Sequence, residues 1–331
     1  MPLERAMAVS NPDSFKGAVP IFTVFTPTYN RAHTIHRVFE SLRAQTFRDF
    51  EWLVVDDGST DGTMELMEAW RRNADFPIRY IVQSHAGKHV AHNRALDEAR
   101  GKFLLVLDSD DACVPTALER MLYHWNTIPA ERRGQFSGVA GLCCDQNGAI
   151  IGDRYPLEPQ DISLREQHYV YRLRGEKWGP DLTDILRRYR FPDIPGATFI
   201  PEGAIWLEIA KHYKMRCVNE VFRIYYQDDH RVGATLTRRK GLGDGAPGRL
   251  HYYTWLLNND LEYFFRSPVP FAKAAVMLPV MSLFAARPLG RAIASLTTPL
   301  AKALVLLALP ASLLLYLYDK TCASLRRDAG S

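Results

Sequence analysis

The sequence predicts an α/β fold: a mostly parallel sheet flanked by helices, followed by an apolar helical tail. Three observations predict it. Four β-branched and aromatic runs alternate with four amphipathic helical patterns across residues 21–125. Each run stops on polar residues suited to holding a ligand. From Arg266 onward the chain turns apolar and basic, with eight Lys/Arg against two Asp, whereas the residues before it carry 33 Lys/Arg against 35 Asp/Glu.

The elements follow in order. Ile21-Phe22-Thr23-Val24-Phe25 reads as a buried strand, stopped by Thr26-Pro27-Thr28-Tyr29-Asn30. Ile35, Val38, Phe39 and Leu42 then recur at helical spacing. Residues 52–55 form a second strand, stopped by Asp56-Asp57-Gly58-Ser59. Asp61 is placed to cap the helix carrying Leu66, Met67 and Trp70. Residues 78–82 form a third strand, before a helix with Ala91, Ala95, Leu96 and Ala99. Residues 103–107 form the fourth, and Pro115 opens a helix with Leu118, Met121, Leu122 and Trp125 on one face. Apolar strands joined through helices require a parallel sheet covered on both faces. Ligands of such sheets bind outside the carboxyl ends of the strands. Here those ends carry Tyr29-Asn30, Asp56-Asp57, residues 85–89 and residues 108–111.

Beyond residue 135 the pattern loosens, with short strands expected at 136–142 and 218–226 and a helix near 181–190. Residues 241–248, Gly-Leu-Gly-Asp-Gly-Ala-Pro-Gly, read as a linker. A dinucleotide-binding glycine motif needs a strand leading into it, and no strand pattern precedes this one. The tail holds uncharged stretches at 274–286 and 303–318, each interrupted by a proline and flanked by Arg287, Arg291, Lys320, Arg326 and Arg327. Both are shorter than the roughly 20 residues of a straight span. They are expected to lie in the membrane interface, attracted to its anionic lipids, rather than to bind nucleic acid. With 47% hydrophobic and 24% charged residues, wholesale disorder is excluded. The five cysteines form no C-x-x-C pair and read as reduced thiols of a cytoplasmic protein. Residues 1–19 lack the apolar core of a cleavable signal.

Asp108-Ser109-Asp110-Asp111 places three carboxylates within four residues. They repel one another unless a cation neutralises them, and hard oxygen donors select Mg²⁺ or Mn²⁺, commonly shared with a diphosphate. Alone, the triplet fits a solvated acidic turn equally well; its place after a buried strand favours a site. Tyr29 offers a ring for stacking a base and Arg31 a phosphate contact. His85, His89 and His92 imitate metal-ligand spacing, but a helix starting near Lys88 would separate them. That helix start, with its lysine, suits an anionic diphosphate better.

Taken together, four stretches resemble family 2 glycosyltransferases of the GT-A fold. They are Val24-Phe25-Thr26-Pro27-Thr28-Tyr29-Asn30-Arg31, Val54-Val55-Asp56-Asp57-Gly58-Ser59-Thr60-Asp61-Gly62-Thr63, Ala91-His92-Asn93-Arg94-Ala95-Leu96, and residues 101–111 ending in Leu107-Asp108-Ser109-Asp110-Asp111. The resemblance implies a Rossmann-like GT-A domain at 20–232, after an extension at 1–19. A linker and helix at 233–265 and the membrane-associating tail at 266–331 follow. It implies inverting transfer from a UDP-sugar to an acceptor hydroxyl, with Mg²⁺ or Mn²⁺, and the basic apolar tail suggests a glycan or lipid-linked acceptor at the cytoplasmic face of the membrane.

The resemblance also implies roles. Tyr29 and Asp57 would hold the uracil, Asp108 the ribose or sugar, and Asp110 the metal. Thr26, Pro27, Arg31, Lys88, Asn93 and Ser109 complete the nucleotide-sugar set. Glu202, in Pro201-Glu202-Gly203-Ala204-Ile205-Trp206, would be the catalytic base, with Trp206 walling the acceptor side. Gly203 stands where the family often has Asp, and His92 where it often has Arg. Asp228 and Asp229 are the next acidic candidates. A nucleotidyltransferase would want a glycine-rich first loop, which residues 26–31 lack. An inactive nucleotide-sugar-binding scaffold is the remaining alternative.

Overall fold

The computed structural model describes residues 9–10, 19–227 and 241–328, with side chains from 19–227 and 241–322. The chain divides into two compact units, Met1–Phe191 with Leu207–Arg231, and Pro192–Trp206 with Val232–Ser331.

The first unit is organised by one sheet. Its centre is β2 (Phe22–Thr28), β3 (Phe50–Asp56), β4 (Ile78–Val82) and β5 (Phe103–Val106), paired in the order β4-β3-β2-β5 and parallel throughout. The two-residue β1 (Val9–Ser10) lies antiparallel on β4. The crossovers are α1 (His36–Arg43), α2 (Thr63–Asn73) and α3 (Lys88–Glu98). β2 and β3 are buried along their whole length, as expected of strands covered on both faces. Val38, Phe39 and Leu42 press α1 against Trp52, Val54 and Phe50. Each such side chain removed from water stabilises the unit by roughly 1.5–3 kcal/mol.

Beyond β5 the sheet changes direction. β6 (Ala112–Cys113), α4 (Ala117–Asn126), β7 (Phe136–Asp145), β8 (Gln160–Ile162) and β9 (Lys177–Trp178) lead to β10 (Asp181–Leu182), which is antiparallel to both β5 and β7. The helix expected at 181–190 is therefore shorter. Its first two residues fill the gap between two strands, and only α5 (Thr183–Leu186) is helical. α6 (Gly203–Ile209) precedes β11 (Lys214–Tyr225), which runs parallel to β7 and antiparallel to β6. β11 thus carries its C-terminal half to the segment that follows β5, where the acidic triplet lies. All five cysteines are unpaired.

The second unit is helical after Gly245. α7 (Ala246–Asn259) begins inside the stretch read as a linker, at Gly245, whose positive φ of 64° suits the turn into the helix. α8 (Pro268–Phe284), α9 (Leu289–Ala294) and α10 (Pro299–Asp328) follow. α10 is longer than its uncharged stretch suggested, because Lys302 is accommodated inside it. Its Pro299–Cys322 portion of 24 residues is long and apolar enough to cross a membrane by length and composition.

Candidate active site

The site is assembled where four parallel strands end. β2 runs into a loop whose Asn30 adopts φ 53°, a conformation asparagine tolerates better than most residues. That loop is tied to the one after β3. Asn30 N–H donates to Ser59 Oγ at 2.8 Å, Thr60 N–H to Asn30 Oδ1 at 2.8 Å, and Ala32 N–H to Asp61 Oδ2 at 3.0 Å. Asp61 also accepts Thr63 N–H at 3.1 Å, while Gly62 takes the cap position expected of Asp61. Burial opposes the charge of Asp61, but these bonds, led by the Thr63 hydroxyl, hold its carboxyl below the usual range. The lacing fixes Tyr29, which is 44% exposed and stacks on His85 with ring centroids 4.2 Å apart.

Asp57 joins the second and third strand ends. Its Oδ1 accepts from Gln83 Nε2 at 2.8 Å and Ala86 N–H at 2.9 Å. Its Oδ2 accepts Gly87 N–H at 2.8 Å and faces His85 Nδ1 at 2.9 Å. Gly87 has φ 101°, which a side chain would strain, and it lets the chain turn directly into α3. Lys88, the first residue of α3, donates Nζ to Asp108 Oδ1 at 2.7 Å.

Arg223 of β11 completes the cluster. It donates to Asp108 Oδ2 at 2.8 Å and, through Nε at 2.8 Å and Nη2, to Asp111 Oδ2. Tyr226 N–H reaches Asp111 Oδ1 at 3.0 Å. Asp111 is 1% exposed; burial pushes its pKa up to about 6 although Arg223 opposes the shift. Burial also acts on Asp108, but Lys88 and then Arg223 overcome it and hold that carboxyl well below its ordinary value. The cation expected to neutralise the triplet is thus supplied in part by the chain itself. Asp110 differs: among the described residues its carboxylate has no hydrogen-bond or ion-pair partner, while its carbonyl accepts from Arg37 at 3.0 Å. The guanidinium of Arg37 also lies 4.1 Å from the Tyr226 ring centroid.

Of the residues singled out in the sequence, Tyr29, Asp57, Lys88, Asp108 and Asp110 come together in this network. Thr26 does not reach it through its side chain, which is fully buried and accepts Trp52 Nε1 at 3.0 Å. Asn93 instead clamps the backbone of Phe191, donating to its carbonyl at 2.8 Å and accepting its N–H at 3.0 Å. Pro27 is buried in β2, and Ser109 is buried between the two aspartates. Arg31 follows Asn30, its N–H on Thr63 Oγ1 at 3.2 Å. His85 is separated from His89 and His92, which are buried on α3 with edges toward Phe191. Glu202 and Trp206 belong to the second unit, where the Glu202 carbonyl accepts Trp206 N–H at 3.2 Å in the first turn of α6. Asp228 and Asp229 lie outside the described residues, as do parts of the expected 1–19 extension and 233–265 linker. A cavity of about 520 Å³ lies at the opposite, amino ends of the strands, beside Gly101, Lys102 and Leu182.

The residues that sequence reasoning missed are His85 as a stacking partner, Arg37 and Arg223. Arg223 left a signal: a charge set between the apolar pairs Val221-Phe222 and Ile224-Tyr225 is buried only when paired.

Residues 23–131 match the family model for Glycosyl transferase family 2. Over this segment the chain is a family 2 glycosyltransferase. Among its curated relatives is the GalNAc(5)-diNAcBac-PP-undecaprenol beta-1,3-glucosyltransferase of Campylobacter jejuni, 24% identical over 66% of this chain and 69% of that protein. The putative teichuronic acid biosynthesis glycosyltransferase TuaG of Bacillus subtilis is 33% identical over 44% of this chain, which spans only 55% of that relative. The solved structure of S. aureus TarS 1-349 in complex with UDP superposes with a TM-score of 0.56 at 18% identity, covering 89% of this chain and 88% of that one. That likeness establishes the GT-A fold of this glycosyltransferase and no more.

Proposed function

We propose that the chain transfers a sugar, with inversion, from a UDP-sugar to an acceptor hydroxyl during synthesis of a cell-envelope, capsule or exopolysaccharide glycan. The observation that carries this reading is the unbroken network Tyr29–His85–Asp57–Gly87–Lys88–Asp108–Arg223 at the carboxyl ends of the parallel strands. The paired rings of Tyr29 and His85 suit a base, which gains about 1–3 kcal/mol by stacking on an aromatic platform. Asp57 has four acceptor sites and four neighbours filling them. A uracil N–H would therefore displace His85, the one of the four that reaches Asp57 through an exposed side chain. Lys88 at the start of α3 meets the leaving diphosphate, whose growing negative charge a fixed ammonium and helix amides stabilise.

Among the described residues no group of three His, Cys, Asp or Glu stands ready to hold a metal. Asp110 nonetheless fits one Mg²⁺ or Mn²⁺ whose other ligands come from diphosphate and water, the usual arrangement for such ions. When bound, the ion would supply Lewis-acid charge to the leaving diphosphate. Arg223 keeps Asp108 and Asp111 ionised and fixed beside it. Glu202 is put forward as the base that takes the acceptor proton, and Trp206 as the acceptor wall. The acceptor is a glycan or a lipid-linked glycan. The exposed leucines of α10, Leu307 at 80% and Leu314 at 70%, support peripheral association with the cytoplasmic face of a membrane.

The test is release of UDP from a panel of sugar nucleotides in the presence of glycan acceptors, with Glu202→Gln alongside. Turnover should fall at least a hundredfold in that variant with the donor KM little changed. Wild-type turnover would place the base elsewhere, with Asp228 and Asp229 next.

A further inference from the structure

We propose that the second unit holds a binding site for the phosphate group of a membrane-borne lipid, in the cavity between α7 and the turn joining α8 to α9. The proposal rests on the membrane association put forward above and names the ligand that the same unit takes from the bilayer.

The cavity encloses about 390 Å³ and is formed entirely by second-unit residues. The turn that builds it follows from the end of α8. Ala286 takes φ 51° and Arg287 N–H returns to the Ser282 carbonyl at 2.9 Å, closing the helix. Pro288 then caps α9, and Arg287 just before the cap and Arg291 within the helix both line the cavity. No ion pair neutralises either guanidinium among the described residues, and one carboxylate, Asp193, shares the lining. His251 adds a third nitrogen group; burial lowers its pKa, so it enters as a neutral donor. An arginine pair with a neutral imidazole is a phosphate-binding set, since guanidinium forks match phosphate oxygens two at a time.

The remaining wall decides which phosphate. Leu250, Ile194, Pro288 and Ala292 make it apolar, and no Phe, Tyr or Trp is among the described lining residues. A nucleotide would find no ring to stack on, whereas a phosphate carried on hydrocarbon satisfies both the arginines and the apolar wall. The same unit already presents hydrocarbon-seeking surface. α10 packs on α8, with Ser312 Oγ on the Val276 carbonyl at 2.8 Å and Tyr316 on Phe284 with centroids 4.8 Å apart. Its other face leaves Leu306, Leu307, Leu313, Leu314 and Leu317 exposed at helical spacing. Two lipids share this chemistry: a polyprenyl diphosphate bearing the acceptor, and an ordinary anionic phospholipid.

The experiment is vesicle flotation of the full chain with phosphatidylcholine alone, with added phosphatidylglycerol, and with added polyprenyl diphosphate, beside calorimetric titration with soluble geranyl diphosphate. Arg287→Gln/Arg291→Gln should lose at least tenfold of the extra affinity that the phosphate lipids confer, and as much affinity for geranyl diphosphate. Its binding to phosphatidylcholine and its UDP release from the donor alone, measured without acceptor, should be unchanged. A preference for polyprenyl diphosphate over phosphatidylglycerol assigns the site to the acceptor lipid, and the reverse assigns it to the bilayer. Should the wild type ignore every vesicle yet bind geranyl diphosphate through the arginines, the pocket stands and the membrane reading falls. If the double variant matches the wild type on phosphate lipids and on geranyl diphosphate, or the wild type prefers neither over phosphatidylcholine and binds no geranyl diphosphate, the site does not exist. Leu307→Glu/Leu314→Glu, which should lose phosphatidylcholine binding, reports on α10 separately.

Discussion

Replacing Arg223 by glutamine should destabilise the first unit more than any single change elsewhere in the site. Arg223 is 7% exposed, and it is the partner of both Asp111, 1% exposed, and Asp108. Removing one member of a buried ion pair leaves an uncompensated charge and costs about 3–5 kcal/mol. For a unit of this size that corresponds to a fall in Tm of roughly 6–20 °C. The loss should depend on pH. The Asp111 carboxyl is already raised from 3.8 to about 6 by burial, so the folded chain holds its proton more tightly than the unfolded chain. Its share of stability is therefore complete below about pH 4 and is lost as pH rises through 6. Without Arg223 that pKa climbs further, so the gap to the wild type is widest near pH 8 and narrows toward pH 5. Thermal unfolding followed by tryptophan fluorescence at pH 8, 7, 6 and 5 reads both features. A Tm drop under about 3 °C at pH 8, or a gap that does not narrow on acidification, would refute the reasoning.

Three further outcomes are expected. Asp110→Ala should leave Tm within about 2 °C, because no described partner is lost, while divalent-cation-dependent turnover drops by two orders of magnitude or more. Lys88→Met should lower kcat by about 10²–10³-fold in steady-state UDP release, the size seen when one charge-stabilising donor is lost. Its effect on stability should be near 1 kcal/mol, since the Lys88–Asp108 pair is partly exposed. Tyr29→Ala and His85→Ala should each weaken UDP binding by calorimetry about tenfold, with Tyr29→Phe close to wild type, because the ring face and not the hydroxyl does the stacking.

The four parallel strands were legible because each is a largely apolar run between turn residues, broken by a charge only at Arg79 of residues 78–82, and a parallel sheet covered on both faces buries such runs. Their order of use was legible too, since ligand-binding residues crowd one end. What escaped reading depends on partners distant in sequence. Residues 181–182 look helical locally, yet extend because β5 and β7 flank them. Arg223 lies 115 residues from Asp108, so the charge that stabilises the triplet was assigned to a metal alone. Asn93 and Thr26 belong to recognisable motifs, but their side chains hold Phe191 and Trp52, a distinction that motif spacing does not carry. α10 was underestimated because a count of uncharged residues stops at Lys302, whereas the long stem of a lysine lets the helix continue through it.

The most direct test of the central claim, that the acidic and aromatic cluster is a UDP-sugar site, is UDP release measured side by side for the wild type, Asp110→Ala and Tyr29→Ala across a donor panel with and without Mg²⁺ or Mn²⁺. Cation-dependent release from at least one UDP-sugar, abolished in Asp110→Ala and shifted to higher donor KM in Tyr29→Ala, is the predicted result. Full turnover in Asp110→Ala, or a donor whose release neither variant affects, would contradict it.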